Sequence, residues 1–479
     1  MNNNNAIPGF HPYLSKKLLT WGIPLLISVS YCYLALQADL RLSIPALTGA
    51  SAFIMALLSL SIYLAEKQYV VWSARVILIL AALLRILFLF RSPELSDDIY
   101  RYLWDGLTIL SGDNPYAIAP ADSKPLSPES LALLNLVNHP QLITIYPPAA
   151  QMLFASGAFF GGVLEIKTLL VALDIASCAI ILRILSSLRM PMSLAVIYAW
   201  SPLAVMEIAA SGHIDGAAVF FLLLAFMLLL PHNDGERLPL SATVSAGVAF
   251  SLATLIKLFP IVFFPALFLL AGKGGRWAFV LGAVSASAII AIPFLPALSN
   301  MFVTLDTYAR NWEFAGFAYQ SLNRIFSSGH TARLALAVSF ITITIVLYAS
   351  LYRKMENLET DSFTSNTFLA TVKAAYCVAL AFLLLTPTLH PWYALYLAAF
   401  LPLAPGVGGL VLTWAVFLSY RILIPFTILG VWEEKDPMPA MIWMGAMGAL
   451  SVSWLVKKTD RTSLQPRIDE HTDMPKRRQ

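Results

Sequence analysis

Two acidic residues stand side by side, Asp97 and Asp98, in the stretch Ser96-Asp97-Asp98-Ile99-Tyr100-Arg101-Tyr102-Leu103-Trp104-Asp105-Gly106. Adjacent carboxylates repel each other. At a lipid boundary at least one should hold its proton more tightly than a free aspartate, unless a cation or a sugar hydroxyl lies nearby. A carboxylate in that state can take a proton from an alcohol. On a helix, Asp98, Arg101 and Asp105 share one face at i, i+3 and i+7. The competing reading is a solvated cap whose acids pair with Arg101. Other ionisable residues interrupt apolar sequence: Arg85, Glu207, His213 and Asp215 around Ser211-Gly212, Lys257 in Lys257-Leu258-Phe259-Pro260, and His390 in Thr386-Pro387-Thr388-Leu389-His390-Pro391-Trp392-Tyr393. Such residues within membrane segments are costly and usually functional. The plainer alternatives are a polar turn at His213/Asp215, a snorkelling Lys257 and a structural interfacial His390.

The elements that position these groups follow from composition. Of 479 residues, 58 % are hydrophobic and 12 % charged, against roughly 45–50 % and 25 % in soluble domains. That excludes a soluble globule, a disordered chain and a disulfide scaffold. The three cysteines, Cys32, Cys178 and Cys377, lie in separate apolar runs without metal-ligand spacing. A net charge of +4 without a basic tract gives no sign of nucleic acid.

Apolar runs near 18–36, 45–65, 71–91, 166–187, 192–210, 214–231, 239–256, 276–297, 331–352, 367–388, 407–428 and 437–456 are long enough to cross the bilayer. Two shorter runs at 258–272 and 391–405, each bounded by proline, bring the expected count to about fourteen. An all-α polytopic membrane protein is therefore expected. With a cytoplasmic N-terminus, Lys67, Arg183, Arg189, Arg237, Lys273, Arg276, Arg353 and Lys354 fall inside. So do Lys457, Lys458, Arg461, Arg467, Lys476, Arg477 and Arg478 of the tail. Both termini are then cytoplasmic, provided that 149–163 lies on the outer face and does not cross. Two long outer loops result, 92–165 and 298–330, too aromatic for disorder. Ser127-Pro128-Glu129 reads as a helix start, so the first loop should hold juxtamembrane helices. The divisions expected are 1–17, a disordered polar N-terminus; 18–65, two N-terminal spans; 66–405, a central membrane region with the two outer loops; 406–456, C-terminal spans; and 457–479, a basic cytoplasmic tail.

Under this topology acids, bases and interfacial aromatics converge on one membrane face. The sequence resembles the GT-C superfamily of integral-membrane glycosyltransferases, and most of all the bacterial family 87-like and polyprenol-phosphomannose-dependent mannosyltransferases. The likeness rests on Asp97-Asp98 with Tyr100-Arg101-Tyr102 and Trp104-Asp105-Gly106; on Gly112-Asp113-Asn114-Pro115-Tyr116; on Tyr146-Pro147-Pro148; and on Gly212-His213-Ile214-Asp215. Lys257-Leu258-Phe259-Pro260 and His390-Pro391-Trp392-Tyr393 complete it. It covers roughly 70–405, with the two spans before residue 70 extra to the simplest members.

The resemblance implies an inverting transfer of a hexose, mannose foremost, from a polyprenyl-phosphate donor to a hydroxyl of a glycan or glycolipid acceptor. The reaction would take place on the periplasmic side of a bacterial inner membrane. Carried over, Asp97 or Asp98 is the base. Lys257, with Arg85 or Arg101, meets the donor phosphate. Asp105, Tyr146, His213, Asp215, His390 and Trp392 line the sugar and acceptor site. Some members need a divalent ion, and Asp97 with Asp98 could hold Mg²⁺ or Mn²⁺, although no full oxygen-ligand set is visible. The rival readings are a transporter or flippase of lipid-linked sugars and a glycan polymerase or ligase. A transporter should show related halves and midplane charges, whereas here the charges gather at one interface.

Overall fold

The computed structural model describes residues 12–124, 127–231, 238–356, 364–434 and 437–463. Arg237, Arg467, Lys476, Arg477, Arg478 and the polar segment 1–11 lie outside the described residues. Regular structure is helical throughout the described residues, apart from isolated bridges from Phe314 and Ala315 to Thr388. The first seven helices are α1 (Pro12–Ala35), α2 (Ile44–Glu66), α3 (Ala74–Leu89), α4 (Asp98–Leu110), α5 (Pro128–Leu134), α6 (Pro148–Phe160) and α7 (Val163–Ser187). Helix α1 starts within the segment expected to be unstructured. Its first residue is proline, whose missing N–H is no loss in the first turn.

Among the described residues, seven helices are long and apolar enough to cross a membrane: Lys16–Ala35, Ile44–Glu66, Val163–Ser187, Gly272–Phe294, Gly329–Glu356, Ser365–Leu385 and Val407–Leu429. An eighth candidate, Met192–Ala199 with Pro202–Ala210, is bent by 45°. Several of the remaining apolar runs form helices shorter than expected. Helix α3 has 16 residues, about 24 Å at 1.5 Å per residue. The runs at 258–272 and 391–405 each open with a 3₁₀ turn, Phe259–Phe263 and Pro391–Ala394, before a short α-helix. Pro260 and Pro391 stand in these first turns, where a missing N–H is no loss.

Both expected outer loops are structured. The first holds α4, α5 and α6. Helix α5 starts at Ser127, whose Oγ accepts from the Ser130 amide while the Ser130 Oγ accepts from the Ser127 amide. Helix α6, at 13 residues, spans about 20 Å, short of a crossing. It packs on α4, where a Cβ at Gly106 would collide with the Phe154 carbonyl. Tyr102 stacks on Phe154 at 4.4 Å across the same contact. The second loop holds helices Asn300–Asn311 and Phe317–Phe326.

The turn from α3 into α4 is fastened on two sides. Lys167 of α7 donates to the carbonyls of Phe88 (3.0 Å) and Arg91 (2.7 Å). Arg91 in turn donates to the carbonyls of Ala35 and Gln37 and to Glu94, which accepts from the Leu40 amide. The N-terminal helix pair thus braces the segment that delivers Asp97 and Asp98. Deeper in the bundle Arg85 pairs with Asp174, which also accepts from Tyr198 Oη at 2.7 Å. This fully buried knot ties α3 to α7 and to the bent pair.

Candidate active site

Asp97 occupies the cap position of α4 and Asp98 its first residue. Neither pairs with Arg101, which instead bonds Asp105 at 2.8 Å one turn on. The two acids share one partner, Asn138, whose Nδ2 donates to Asp97 Oδ1 (2.9 Å) and Asp98 Oδ1 (2.7 Å). Asp98 turns its other oxygen inward, accepting from Tyr146 Oη at 3.4 Å and lying 3.9 Å from His213 Nδ1. His213 Nε2 lies 3.4 Å from Glu207, which accepts from Tyr420 Oη through both oxygens. Lys257 Nζ stands 3.4 Å from Asp215 and over the Tyr146 ring at 5.2 Å. Asp98, His213, Asp215, Lys257 and Tyr146 thus meet at one end of the bundle.

Helix ends bring the charges there. The helices Asp215–Leu228 and Leu240–Ile256 pack side by side, so the start of the first meets the end of the second. Asp215 sits at a helix N-terminus and Lys257 at a C-cap, each with the sign the helix dipole favours. Lys257 is extended (φ −145°, ψ 136°), which lets its side chain leave the helix end. Glu207 lies in a π-helical turn, Val205–Ala210, Tyr420 in the 3₁₀ segment Val416–Ile422, and His390 just before the 3₁₀ turn at Pro391. Non-α turns of this kind are typical where side chains must be re-aimed at a site. Gly212, between Ser211 and His213, has φ +77°, and a Cβ there would collide with Ile99. Glycine is required for the loop to approach α4.

Aromatic rings close the other wall. Trp392 stacks on His213 at 3.8 Å and on His390 at 4.3 Å, and Phe314 covers the far face of His390 at 5.0 Å. Tyr308 of the helix Asn300–Asn311 bonds Tyr393 at 2.8 Å. Loss of water around Asp97, and then the charge of Asp98, hold its carboxyl above the usual range, against the lowering effect of Asn138. Burial, and then Lys257, push the His390 imidazole down to about 3. Among the described residues, both ring nitrogens of buried His213, both oxygens of Asp215 and the hydroxyls of Ser211 and Tyr396 meet no partner in hydrogen-bond geometry, although Glu207 lies near His213 and Lys257 near Asp215. So many undirected buried polar atoms in one place are uncommon away from a functional site.

The family model of glycosyltransferase family 87 matches residues 144–387, just over half of the chain. The chain belongs to glycosyltransferase family 87. It is a membrane glycosyltransferase, and the matched segment carries Tyr146, Glu207, His213, Asp215 and Lys257. Asp97, Asp98, Asn138, His390 and Trp392 flank that segment and reach the same place through the fold. No curated protein and no solved structure matches the chain.

Two expected phosphate ligands of the family 87 site, and one sugar ligand, are not brought to the cluster. Arg85 is sealed in its pair with Asp174 and in bonds to the carbonyls of Ala81 and Ala199. Arg101 and Asp105 are engaged with each other and, through Asp105, with Gln151 of α6. A cation at the membrane face was expected to be available. Instead, burial beside a carboxylate leaves an arginine fixed in the ion pair. Asn138, Tyr420, Tyr308 and Phe314 join the site without having stood out in the sequence. The residues present do not fit Mg²⁺ or Mn²⁺ at Asp97 and Asp98. The Asn138 amide lies between their facing oxygens, and among the described residues no group of three or more His, Cys, Asp or Glu is gathered to hold a metal.

Proposed function

We propose that this family 87 enzyme transfers a hexose, mannose foremost, from a polyprenyl-phosphate sugar to a hydroxyl of a glycan or lipid-linked acceptor, with inversion at the anomeric carbon. The observation that carries the reading is the meeting of Asp97 and Asp98 with Lys257 and a wall of stacked rings at one end of an apolar bundle. A lipid-linked donor needs those features together: a bilayer for its tail, a cation for its phosphate, and carboxylates and rings for its sugar.

In this mechanism the Asp97–Asp98 pair takes the proton of the acceptor hydroxyl as its oxygen attacks the anomeric carbon. The bond from that carbon to the phosphate oxygen breaks on the opposite side, and polyprenyl phosphate leaves. The Lys257 ammonium, held by Asp215, faces the negative charge growing on the phosphate. Tyr146, His213, Asp215, His390 and Trp392 line the sugar and acceptor site, and Glu207 steadies His213 from behind. We place the site on the periplasmic face of a bacterial inner membrane, with both termini cytoplasmic. The short and broken apolar helices then complete about fourteen crossings. The pairing of the basic connections on one side supports this orientation. The test is transfer in membranes from radiolabelled polyprenyl-phosphate sugars, comparing the native enzyme with Asp97→Asn/Asp98→Asn. Transfer should be lost in the double variant, and equal turnover in both would refute the assigned base.

A further inference from the structure

Two adjacent carboxylates at a membrane face need something positive between them. Here the two N–H bonds of a single side-chain amide stand in that position. Asn138 Nδ2 donates to Asp97 Oδ1 at 2.9 Å and to Asp98 Oδ1 at 2.7 Å, using both its hydrogens. Hydrogen bonds to ionised acceptors are the stronger kind, and each bond here goes to a different acid. The arrangement fixes the separation of the facing oxygens. It leaves Asp98 Oδ2 directed inward toward Tyr146 and His213.

The segment that carries Asn138 is built to hold it there. His139 adopts φ +45°, uncommon for a residue with a side chain. Its ring meets Trp312 of the second outer loop edge-on at 4.8 Å. The His139 carbonyl accepts from the Leu142 amide, and the Pro140 carbonyl from the Ala121 amide. A strained backbone locked between two loops is a common mark of a positioned functional group.

We infer that Asn138 is a positioning residue whose amide stands in the place a divalent cation would take between Asp97 and Asp98, so that the acid pair acts without a metal ion. The inference rests on the transferase reading for its activity arm alone. Removing the amide then leaves the two acids facing each other with nothing between them, and a cation can enter. Replacing it with a third carboxylate builds a cation site.

The experiment uses the full-length enzyme in detergent and in membranes, with Mn²⁺ as the probe. By electron paramagnetic resonance, the native enzyme should bind no Mn²⁺ that Asp97→Asn/Asp98→Asn removes. Asn138→Asp should bind Mn²⁺, and Asp97→Asn in that background should abolish it. In the transfer assay the native enzyme should be indifferent to a chelator. Asn138→Ala should lose about tenfold to hundredfold, the loss expected for two charge-assisted bonds, and millimolar Mn²⁺ should restore most of it. Asn138→Ser, which keeps one donor, should fall between. A native Mn²⁺ signal that depends on Asp97 and Asp98 would overturn the inference. So would chelator-sensitive native turnover, or a loss in both Asn138→Ala and Asn138→Ser that Mn²⁺ does not repair at unchanged melting temperature. Were no polyprenyl-phosphate sugar to serve the native enzyme, the donor assignment would fail, and the Mn²⁺ binding measurements would still decide the role of Asn138.

Discussion

Asp97 and Asp98 differ in what surrounds them, although they are chain neighbours. Asp97 lies toward the open side, with its carboxyl above the usual range, while Asp98 faces Tyr146 and His213. Asp97→Asn/Asp98→Asn should cut transfer by about 10²- to 10⁴-fold, the usual contribution of a general base, with an unchanged melting temperature. Because the Asp97 carboxyl is raised, the pair gains a proton sooner as pH falls. The acid limb of the kcat/KM profile should therefore lie above the range of a free aspartate, and a limb at or below that range would contradict it. Lys257→Ala should raise the donor KM and lower kcat by about tenfold or more, while leaving the acceptor KM nearly unchanged. Steady-state kinetics with each substrate varied in turn checks this. The residues that sequence could single out were ionisable groups breaking apolar runs, and Asp98, His213, Asp215, Lys257 and His390 all come together. Asn138 could not be singled out, because one amide in a polar loop, forty residues from its partners, matches no spacing. Tyr420 was hidden among the aromatics of an apolar span. Arg85 and Arg101 stood out by the same criterion as Lys257, and all three pair with a buried carboxylate, but only Lys257 keeps part of its side chain exposed.

At the scale of elements, hydropathy located the long uninterrupted helices well, because each needs only apolar length. It did less well beside the site. There Pro202, Pro260 and Pro391 break the runs, and the π turn at Val205–Ala210 adds a residue that no periodicity announces. These breaks aim Glu207, Lys257 and His390 at one point, so the irregularity that blurs the pattern serves the site. Gly212 tests the close approach of the 211–214 loop to α4. Gly212→Ala places a side chain in a left-handed conformation that costs about 1–2 kcal/mol and pushes against Ile99. It should lower the melting temperature and reduce kcat more than it raises KM, since Ile99 follows the acid pair directly. A melting temperature and kcat equal to the native values would remove the constraint assigned to this loop.

The molecule as a whole is an apolar bundle with polar machinery at one end, braced by an N-terminal helix pair through Arg91 and Glu94. Its proposed orientation rests on basic residues counted along the sequence, and the exposed Asp113 offers a direct check. With the native cysteines replaced by alanine, Asp113→Cys should react with an impermeant thiol reagent from the outside of intact cells. Labelling only after lysis would invert the topology. The claim on which the account turns is that a lipid-linked sugar is the donor and the Asp97–Asp98 end of the bundle is where it reacts. The most direct measurement is an assay in native membranes with a panel of radiolabelled polyprenyl-phosphate hexoses and pentoses, beside the corresponding nucleotide sugars. The account predicts transfer from a polyprenyl-phosphate hexose, lost in Asp97→Asn/Asp98→Asn. Transfer from a nucleotide sugar alone, or transfer that survives both substitutions, would contradict it.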